Sequence, residues 1–220
     1  MKLYNLDNSP FAARVRIQIR HKNLPVEILE PPIPLRTTDF KKSYPLGKLP
    51  ILELPDGSSI SESTVIIDYL EALYPDPPLL PEGALEKAQN GMLIRYTDNH
   101  LSQALSPLFA DFISRFSGEG SNSTKLNRLK DEIEKLNLLL IELPPFQNRG
   151  MQTADICLAT HIFYAEEMAR WFGDNQLTDT FPNVAEWQQW VKAYQAVSET
   201  LAEMAKAHED FVKYLEGSAP

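Results

Sequence analysis

The chain has 220 residues, 43% apolar and 23% charged, which is typical of a globular protein with a buried core. Its net charge of −9 argues against broad affinity for nucleic acid, which requires basic patches. One cysteine, Cys157, excludes an internal disulfide framework, and four scattered histidines lack metal-binding spacing. The spacing of the histidines therefore predicts no metal site. Apolar runs shorter than a membrane span, with no recognisable signal peptide, predict a cytoplasmic protein that binds no membrane.

The first third of the chain alternates between strand and helix patterns. A short strand over Lys2–Asn5 precedes helical spacing over Pro10–Lys22, and Val26–Leu29 predicts a second strand. A helix between two neighbouring strands predicts that those strands are parallel. Thr37–Ser43 has the pattern of one short, weak helix.

The next segment predicts a β-hairpin followed by a helix. Leu49–Leu54 and Ser59–Ile60 have strand patterns, and Asp56-Gly57 between them is a hairpin turn signal. Ser63–Tyr74 has the spacing of an amphipathic helix. The predicted order is therefore βαβ, a short helix, then ββα.

A proline-rich segment separates this part from the remainder. Four of the seven residues from 75 to 81 are proline, which predicts a stiff linker over residues 76–83 between domains 1–75 and 84–220. Everything after the linker has helical spacing. The predicted helices are Ala84–Phe116, bent near Pro107, then Thr124–Leu143, Thr153–Phe172, Val184–Tyr194 and Ser198–Leu215, with a polar loop at Gly118–Ser123.

The start of the first helix has two interpretations. Ser9 is a favourable N-cap, and Pro10 suits the first helical position. A hydroxyl and free amides at a helix N-terminus can also hydrogen-bond a thiolate and lower the pKa of its thiol. Alone, the pattern favours a simple cap, whereas the hairpin and helix after it favour a functional role.

That hairpin and helix suggest a site for a short peptide. A sheet-edge backbone at Leu49-Pro50 can pair with an extended ligand. Glu62-Ser63 opens a helix, where unpaired amides and the positive dipole end favour a carboxylate. The alternative is an edge-strand proline, a solvated Lys48 and an ordinary serine helix cap.

These three segments, in this order, resemble the active site of cytosolic glutathione transferases. Ser9–Arg16 resembles the serine-type members, among them the tau, zeta, omega-like and related bacterial groups. The resemblance covers nearly the whole chain. It implies an α/β thioredoxin-like N-terminal domain with a cis bond at Leu49–Pro50, followed by an all-α helical domain.

The resemblance also implies residue roles. Ser9 would stabilise the thiolate of glutathione, the co-substrate. The implied glutathione contacts are Phe11, Pro50, Lys48 for the glycine carboxylate, Leu49 for the cysteinyl backbone, and Glu62 with Ser63 for the γ-glutamyl group. Omega-type members have cysteine at the position of Ser9, so a mixed disulfide there is excluded in this chain. Tyr4 is a rival activator, although tyrosine is common in strands.

The implied activity is conjugation of glutathione to small, mostly apolar electrophiles by a homodimer. A glutathione-dependent isomerase, dehalogenase or etherase, or a non-enzymatic binding protein, remain alternatives because fold does not determine function. By family analogy, Asp98 is a candidate to reach the partner subunit's glutathione. The candidate electrophile pocket between the domains comprises Tyr96, His100, Phe109, Phe112 and Trp171.

The segment Gly150–Ile156 resembles the start of the family's central helix in the second domain. Gln152 occupies the usual position of a serine or threonine cap and is a poor cap. Asp155 is interpreted as structural. Cys157, among apolar neighbours on the same helix, is predicted to be a buried small side chain.

Overall fold

The computed structural model of the protein describes residues 1–115 and 124–217. The described part begins with a four-stranded mixed sheet and its helices and continues with helices alone. This confirms the predicted fold class. The polar loop predicted at Gly118–Ser123 lies outside the described residues.

The first third of the chain has the predicted order of elements. These are β1 (Lys2–Tyr4), α1 (Pro10–His21), β2 (Glu27–Leu29), α2 (Thr38–Ser43), β3 (Ile51–Glu53), β4 (Ser59–Ser61) and α3 (Ser63–Leu73). The sheet order is β2-β1-β3-β4, with β1 parallel to β2 and β3 antiparallel to both of its neighbours. Strand β3 begins after Pro50, which has no amide hydrogen for the ladder.

Apolar side chains from both faces of the sheet make separate clusters. Leu3 and Leu52 pack with residues of α1 and α3, such as Val15 and Ile66, on one face. On the other face, Phe40 of α2 packs with side chains of β1 and β3. The alternation of strand side chains between the two faces explains this division.

The second half is helical. Its elements are α4 (Ala84–Tyr96), a π-helical turn (Thr97–Leu101), α5 (Ser102–Arg115), α6 (Thr124–Glu142), a 3₁₀ turn (Phe146–Asn148), α7 (Thr153–Trp171), α8 (Pro182–Lys192) and α9 (Gln195–Gly217). The tract predicted as one helix bent at Pro107 is interrupted earlier, by the π-helical turn, whose wider hydrogen bonds break the regular ladder. Pro107 lies inside α5.

Helix α7 is the centre of the helical half, and Asp155 fixes its start. The Asp155 carboxylate is fully buried and accepts hydrogen bonds from Arg149 Nη1 at 2.6 Å, Trp187 Nε1 at 2.9 Å and the Gln152 amide at 2.8 Å. Asp155 therefore compensates for the poor cap at Gln152, as its structural interpretation requires. Cys157 is also fully buried, and burial raises the pKa of its thiol to about 11.

Asp155→Ala should lower the free energy of unfolding by about 3 kcal/mol, because it leaves a largely buried guanidinium and an indole N–H without their acceptor. Urea unfolding measures this loss. Asp155→Asn, which keeps one acceptor oxygen, should lose less. A loss below about 1 kcal/mol in the alanine variant would contradict this structural role.

Candidate functional site

A small cavity lies where β3, β4 and the starts of α1 and α3 meet. Its volume is about 90 Å³. All six residues with an implied glutathione contact line it, together with Leu46 and Ser61, which sequence reasoning missed. The lining residues are Phe11, Leu46, Lys48, Leu49, Pro50, Ser61, Glu62 and Ser63. The structure therefore brings three distant segments to one place, and their role remains a prediction.

The start of α3 faces this cavity without a side-chain cap. Glu62 is the N-cap residue, makes no capping hydrogen bond and has a left-handed φ of 73°. Such a backbone is uncommon for a residue with a side chain and is often held at functional sites. Ser63 is the first helical residue, so the alternative that it caps the helix is wrong. Free amides at this end suit an anionic ligand.

The loop before β3 contributes backbone and one cation. The Leu49–Pro50 peptide bond is cis. Lys48 is exposed and makes no ion pair within the described residues. An unpaired lysine beside a cavity can attract an anion without first losing another partner.

Ser9 lies at the N-terminus of α1, next to the cavity wall. Its Oγ accepts a hydrogen bond from the Ala12 amide at 3.2 Å, so the capping interpretation is correct. A serine hydroxyl that accepts one bond still has its own hydrogen to donate. The two following residues, Pro10 and Phe11, line a second cavity, and Phe11 lines both.

The loop that carries Ser9 is held in place by buried polar contacts. Arg16 is almost fully buried and donates through Nη2 to the Asp7 carbonyl at 2.8 Å and through Nη1 to Glu203 of α9 at 2.7 Å. The Tyr164 hydroxyl of α7 donates to the Asn8 carbonyl. The position of Ser9 therefore depends on helices of the second half.

The hydroxyl of Tyr4, the rival activator, is already hydrogen-bonded to another side chain. Its side chain is buried, and its hydroxyl donates to Glu53 Oε2 at 2.6 Å. This hydrogen bond to a carboxylate, with burial, raises the pKa of the Tyr4 hydroxyl. Its ring packs edge-on against Tyr44, 6.0 Å between centroids. These contacts support the packing interpretation of Tyr4.

The second cavity has a volume of about 240 Å³ and lies between α1 and the helices of the second half. Its wall is mostly apolar, with hydroxyl, amide and imidazole groups among the side chains. The lining residues are Asn8, Pro10, Phe11, Ser102, Leu105, Ser106, Phe109, His161, Tyr164 and Met168. Of the five residues predicted for an electrophile pocket, the structure brings Phe109 to this cavity.

The other four predicted pocket residues pack elsewhere. Tyr96 donates its hydroxyl to the Glu132 carbonyl, and His100 stacks on the Tyr96 ring. Phe112 is fully buried and lies 5.0 Å from the Trp171 ring, centroid to centroid. Tyr96 and Phe112 are buried among the helices, His100 is exposed, and none of these four residues lines the cavity.

Arg14 links the two cavities to the second half of the chain. Its buried guanidinium donates from Nη2 to Asp98 Oδ1 at 2.6 Å and lies 3.2 Å from His161 Nδ1. Nη1 is 3.5 Å from Ser63 Oγ, and the guanidinium carbon is 4.9 Å from the Phe11 ring centroid. Asp98 therefore pairs within its own chain, which was not predicted.

Sequence reasoning missed His161 and Tyr164. They lie on α7 with Met168 at helical spacing, which places all three on one face. Polar residues within an otherwise apolar helical stretch were the available signal. Burial and the nearby Arg14 charge hold the pKa of His161 well below its ordinary value, so the imidazole is neutral.

Residues 1–115 and 124–217 lack two kinds of feature. No group of histidine, cysteine, aspartate and glutamate side chains has the arrangement of a metal site. No described helix is long and apolar enough to cross a membrane.

Comparison with known proteins shows which proteins this chain is similar to. Residues 3–78 match the family model described as the glutathione S-transferase N-terminal domain. A glutathione S-transferase of Methylobacterium radiotolerans, solved with glutathione sulfonate, is 25% identical, with TM-score 0.72, covering 91% of this chain and 93% of that one. A tau class glutathione S-transferase from mango, 21% identical, matches the fold with TM-score 0.80 over 97% of each chain.

Among curated relatives, pig glutathione S-transferase omega-1 is 29% identical over 135 residues, which is 61% of this chain. The chain spans 52% of the length of that relative. The family match over residues 3–78 identifies a glutathione S-transferase N-terminal domain, and the fold of the whole chain agrees with that of glutathione transferases.

Acidification should reduce the stability of the protein through His161. The unfolded histidine takes up a proton near pH 6.5, whereas the folded one resists it, so unfolding free energy falls as pH drops from 7 to 5. The contribution is at most about 1.4 kcal/mol per pH unit. Urea unfolding across this pH range should show that the unfolding free energy of His161→Asn depends less steeply on pH than that of the wild type.

His100→Asn, a change at an exposed histidine, is the matched control and should keep the wild-type dependence on pH. An identical dependence in His161→Asn and the wild type would show that the Arg14 neighbourhood does not suppress protonation of His161.

Proposed function

We propose that this chain is a glutathione transferase that joins the glutathione thiol to a small, mostly apolar electrophile. The observation that supports this most strongly is the small cavity with its uncapped start of α3, next to the larger apolar cavity. Phe11 separates the two and contacts both. The small cavity, together with the sheet edge beside it, suits part of a short anionic peptide, and the other cavity suits an apolar molecule.

Each end of glutathione has a chemically suitable partner in the small cavity. The amide and hydroxyl of Ser63 suit the γ-glutamyl carboxylate, and the Glu62 carboxylate suits the ammonium group. The backbone of Leu49 suits the cysteinyl residue, paired as an added strand. Lys48 suits the glycine carboxylate through its charge.

Ser9 then activates the thiol. Its hydroxyl donates to the sulfur and, with the positive dipole end of α1, favours the thiolate. The proton leaves to solvent, the sulfur electron pair forms a bond to an electrophilic carbon, and the leaving group departs with its own electron pair. A free thiol of pKa about 8.5 is mostly protonated at neutral pH, so lowering that pKa by about two units raises the thiolate fraction more than tenfold.

The volume and wall of the larger cavity limit the size and charge of the second substrate. Its volume of 240 Å³ exceeds the roughly 150 Å³ of an apolar protein cavity that binds benzene. A single substituted aromatic ring fits this space. Its charged neighbour, Arg14, lies behind Phe11 and His161, so the wall favours an uncharged electrophile.

Ser9→Ala should raise the pKa of the bound glutathione thiol by about one to two pH units, because a hydrogen bond to a charged group contributes about 1.5–3 kcal/mol. Ultraviolet titration of the enzyme–glutathione complex measures this pKa. Turnover of chlorodinitrobenzene near pH 6.5 should fall about tenfold to a hundredfold, with glutathione affinity nearly unchanged.

Tyr4→Phe is the matched control and should leave both the thiol pKa and turnover near wild-type values. If Ser9→Ala keeps them instead, Ser9 is a cap alone and another group activates the thiol. Failure of the wild type to bind glutathione at millimolar concentration would contradict every glutathione-dependent function, including isomerase, dehalogenase and etherase activities.

We further propose that the protein is a homodimer. Val65 of α3 and two residues of α4, Leu85 and Met92, expose 50%, 68% and 45% of their surface, and they line neither of the two cavities described above. These side chains lie on consecutive helices, and exposed apolar patches are typical of interaction surfaces. The predicted cytoplasmic location is part of the same proposal.

Met92→Glu should shift the protein toward monomer, because a carboxylate would be buried without a partner at the interface. Analytical ultracentrifugation of wild type and variant measures the distribution. Ile141→Glu, at an exposed apolar residue of α6, is the control and should remain dimeric. A monomeric wild type at micromolar concentration would contradict the proposal.

A further inference from the structure

A third cavity, larger than both parts of the proposed active site, lies at the opposite end of α1. Its volume is about 540 Å³, against 240 Å³ for the cavity beside Phe11. It shares no lining residue with either of the other two cavities. His21 lines it at the last position of α1, about 15 Å along the helix from Phe11.

The wall of this cavity is mainly apolar. Pro77, Pro78 and Pro81 of the linker form one side, and Leu93 of α4 and Met151 before α7 contribute to the others. Proline fixes its own backbone angle, so this side loses little freedom when a ligand binds. The volume falls within the usual range of small-molecule sites, about 300–1,000 Å³.

The apolar wall also holds uncommitted polar groups. Gln89 Oε1 is buried and has no hydrogen-bond partner within the described residues. The Tyr194 hydroxyl accepts from the Met151 amide at 3.1 Å, and its own hydrogen remains to be donated. The His21 ring touches Tyr194 edge-on, and its nitrogens make no hydrogen bond in the described structure. Unpaired groups of this kind in an apolar cavity are typical of ligand sites.

The charges at the cavity determine which ligands it favours. The cation in the wall, Arg149, is already paired with the buried Asp155 carboxylate at 2.6 Å. Burial and the neighbouring Lys22 charge lower the pKa of His21, so its ring is neutral near pH 7. Glu82 and Glu86 are exposed at the same cavity and leave it with negative charge. An anion is therefore disfavoured, in contrast to the glutathione end of α1.

We infer that this cavity is a second binding site, separate from the proposed active site, for a small aromatic molecule that is uncharged or carries one positive charge. The molecule's ring occupies the apolar space between the linker and α4. Its polar group pairs with Gln89, His21 or Tyr194, and a cationic group lies toward Glu82 and Glu86.

Three naphthalene probes of similar size test this inference: naphthylmethanol, naphthylmethylammonium and naphthoate. Calorimetric titration at pH 7.5, with glutathione present, should show binding of the neutral and cationic probes. Naphthoate should bind at least tenfold more weakly. Glu82→Gln should weaken the binding of the cationic probe, relative to that of the neutral probe, at least twofold.

Two tryptophan variants locate the probes. A side chain at Gly150 enters open space at the cavity wall, so Gly150→Trp should fold and weaken probe binding at least tenfold. Asn148→Trp, at an exposed residue outside the wall, should leave binding unchanged. Ser106→Trp, which narrows the cavity beside Phe11, should also leave it unchanged.

Gln89→Met provides a test that does not depend on filling the cavity. It should weaken naphthylmethanol binding about fivefold while leaving methylnaphthalene, which lacks the hydroxyl, unaffected. The inference is overturned if no probe binds, if naphthoate binds as tightly as the others, or if Ser106→Trp abolishes binding while Gly150→Trp preserves it.

Discussion

The packing of the helices against the sheet depends on the contacts of the buried Arg14 guanidinium. A buried charge costs several kcal/mol unless it is paired and hydrogen-bonded. Its partners come from three other elements: Ser63 at the start of α3, Asp98 in the π-helical turn and His161 in α7. Meeting these requirements fixes the helical half against the sheet, and therefore sets the distance between the two proposed substrate cavities.

The first third of the chain was predictable because its signals are local. Pro10 after Ser9, Asp56-Gly57 between two strand patterns and Glu62-Ser63 before a helix each specify backbone geometry over a few residues. Their order along the chain then specified the sheet, including the parallel pair. The six residues implied for glutathione come together in one cavity for the same reason, because each adjoins a predicted strand or helix end.

The wall of the cavity beside Phe11 was not predictable. Helical spacing shows which face of a helix is buried but not which element packs against that face. Phe109 and Phe112 are three residues apart on α5, yet Phe109 borders the cavity and Phe112 packs against Trp171. The π-helical turn that places Asp98 beside Arg14 has no composition signal of its own. His161 was missed because a histidine on an apolar face is usually a packed residue.

A crystal structure with glutathione bound would show whether Ser9 and the small cavity hold the thiol and both ends of glutathione. We expect the γ-glutamyl carboxylate at the Ser63 amide, the cysteinyl backbone paired with Leu49, and the sulfur within hydrogen-bond distance of Ser9 Oγ, facing the cavity beside Phe11. A sulfur placed away from Ser9, or glutathione bound outside the Phe11–Leu49–Ser63 cavity, would contradict it.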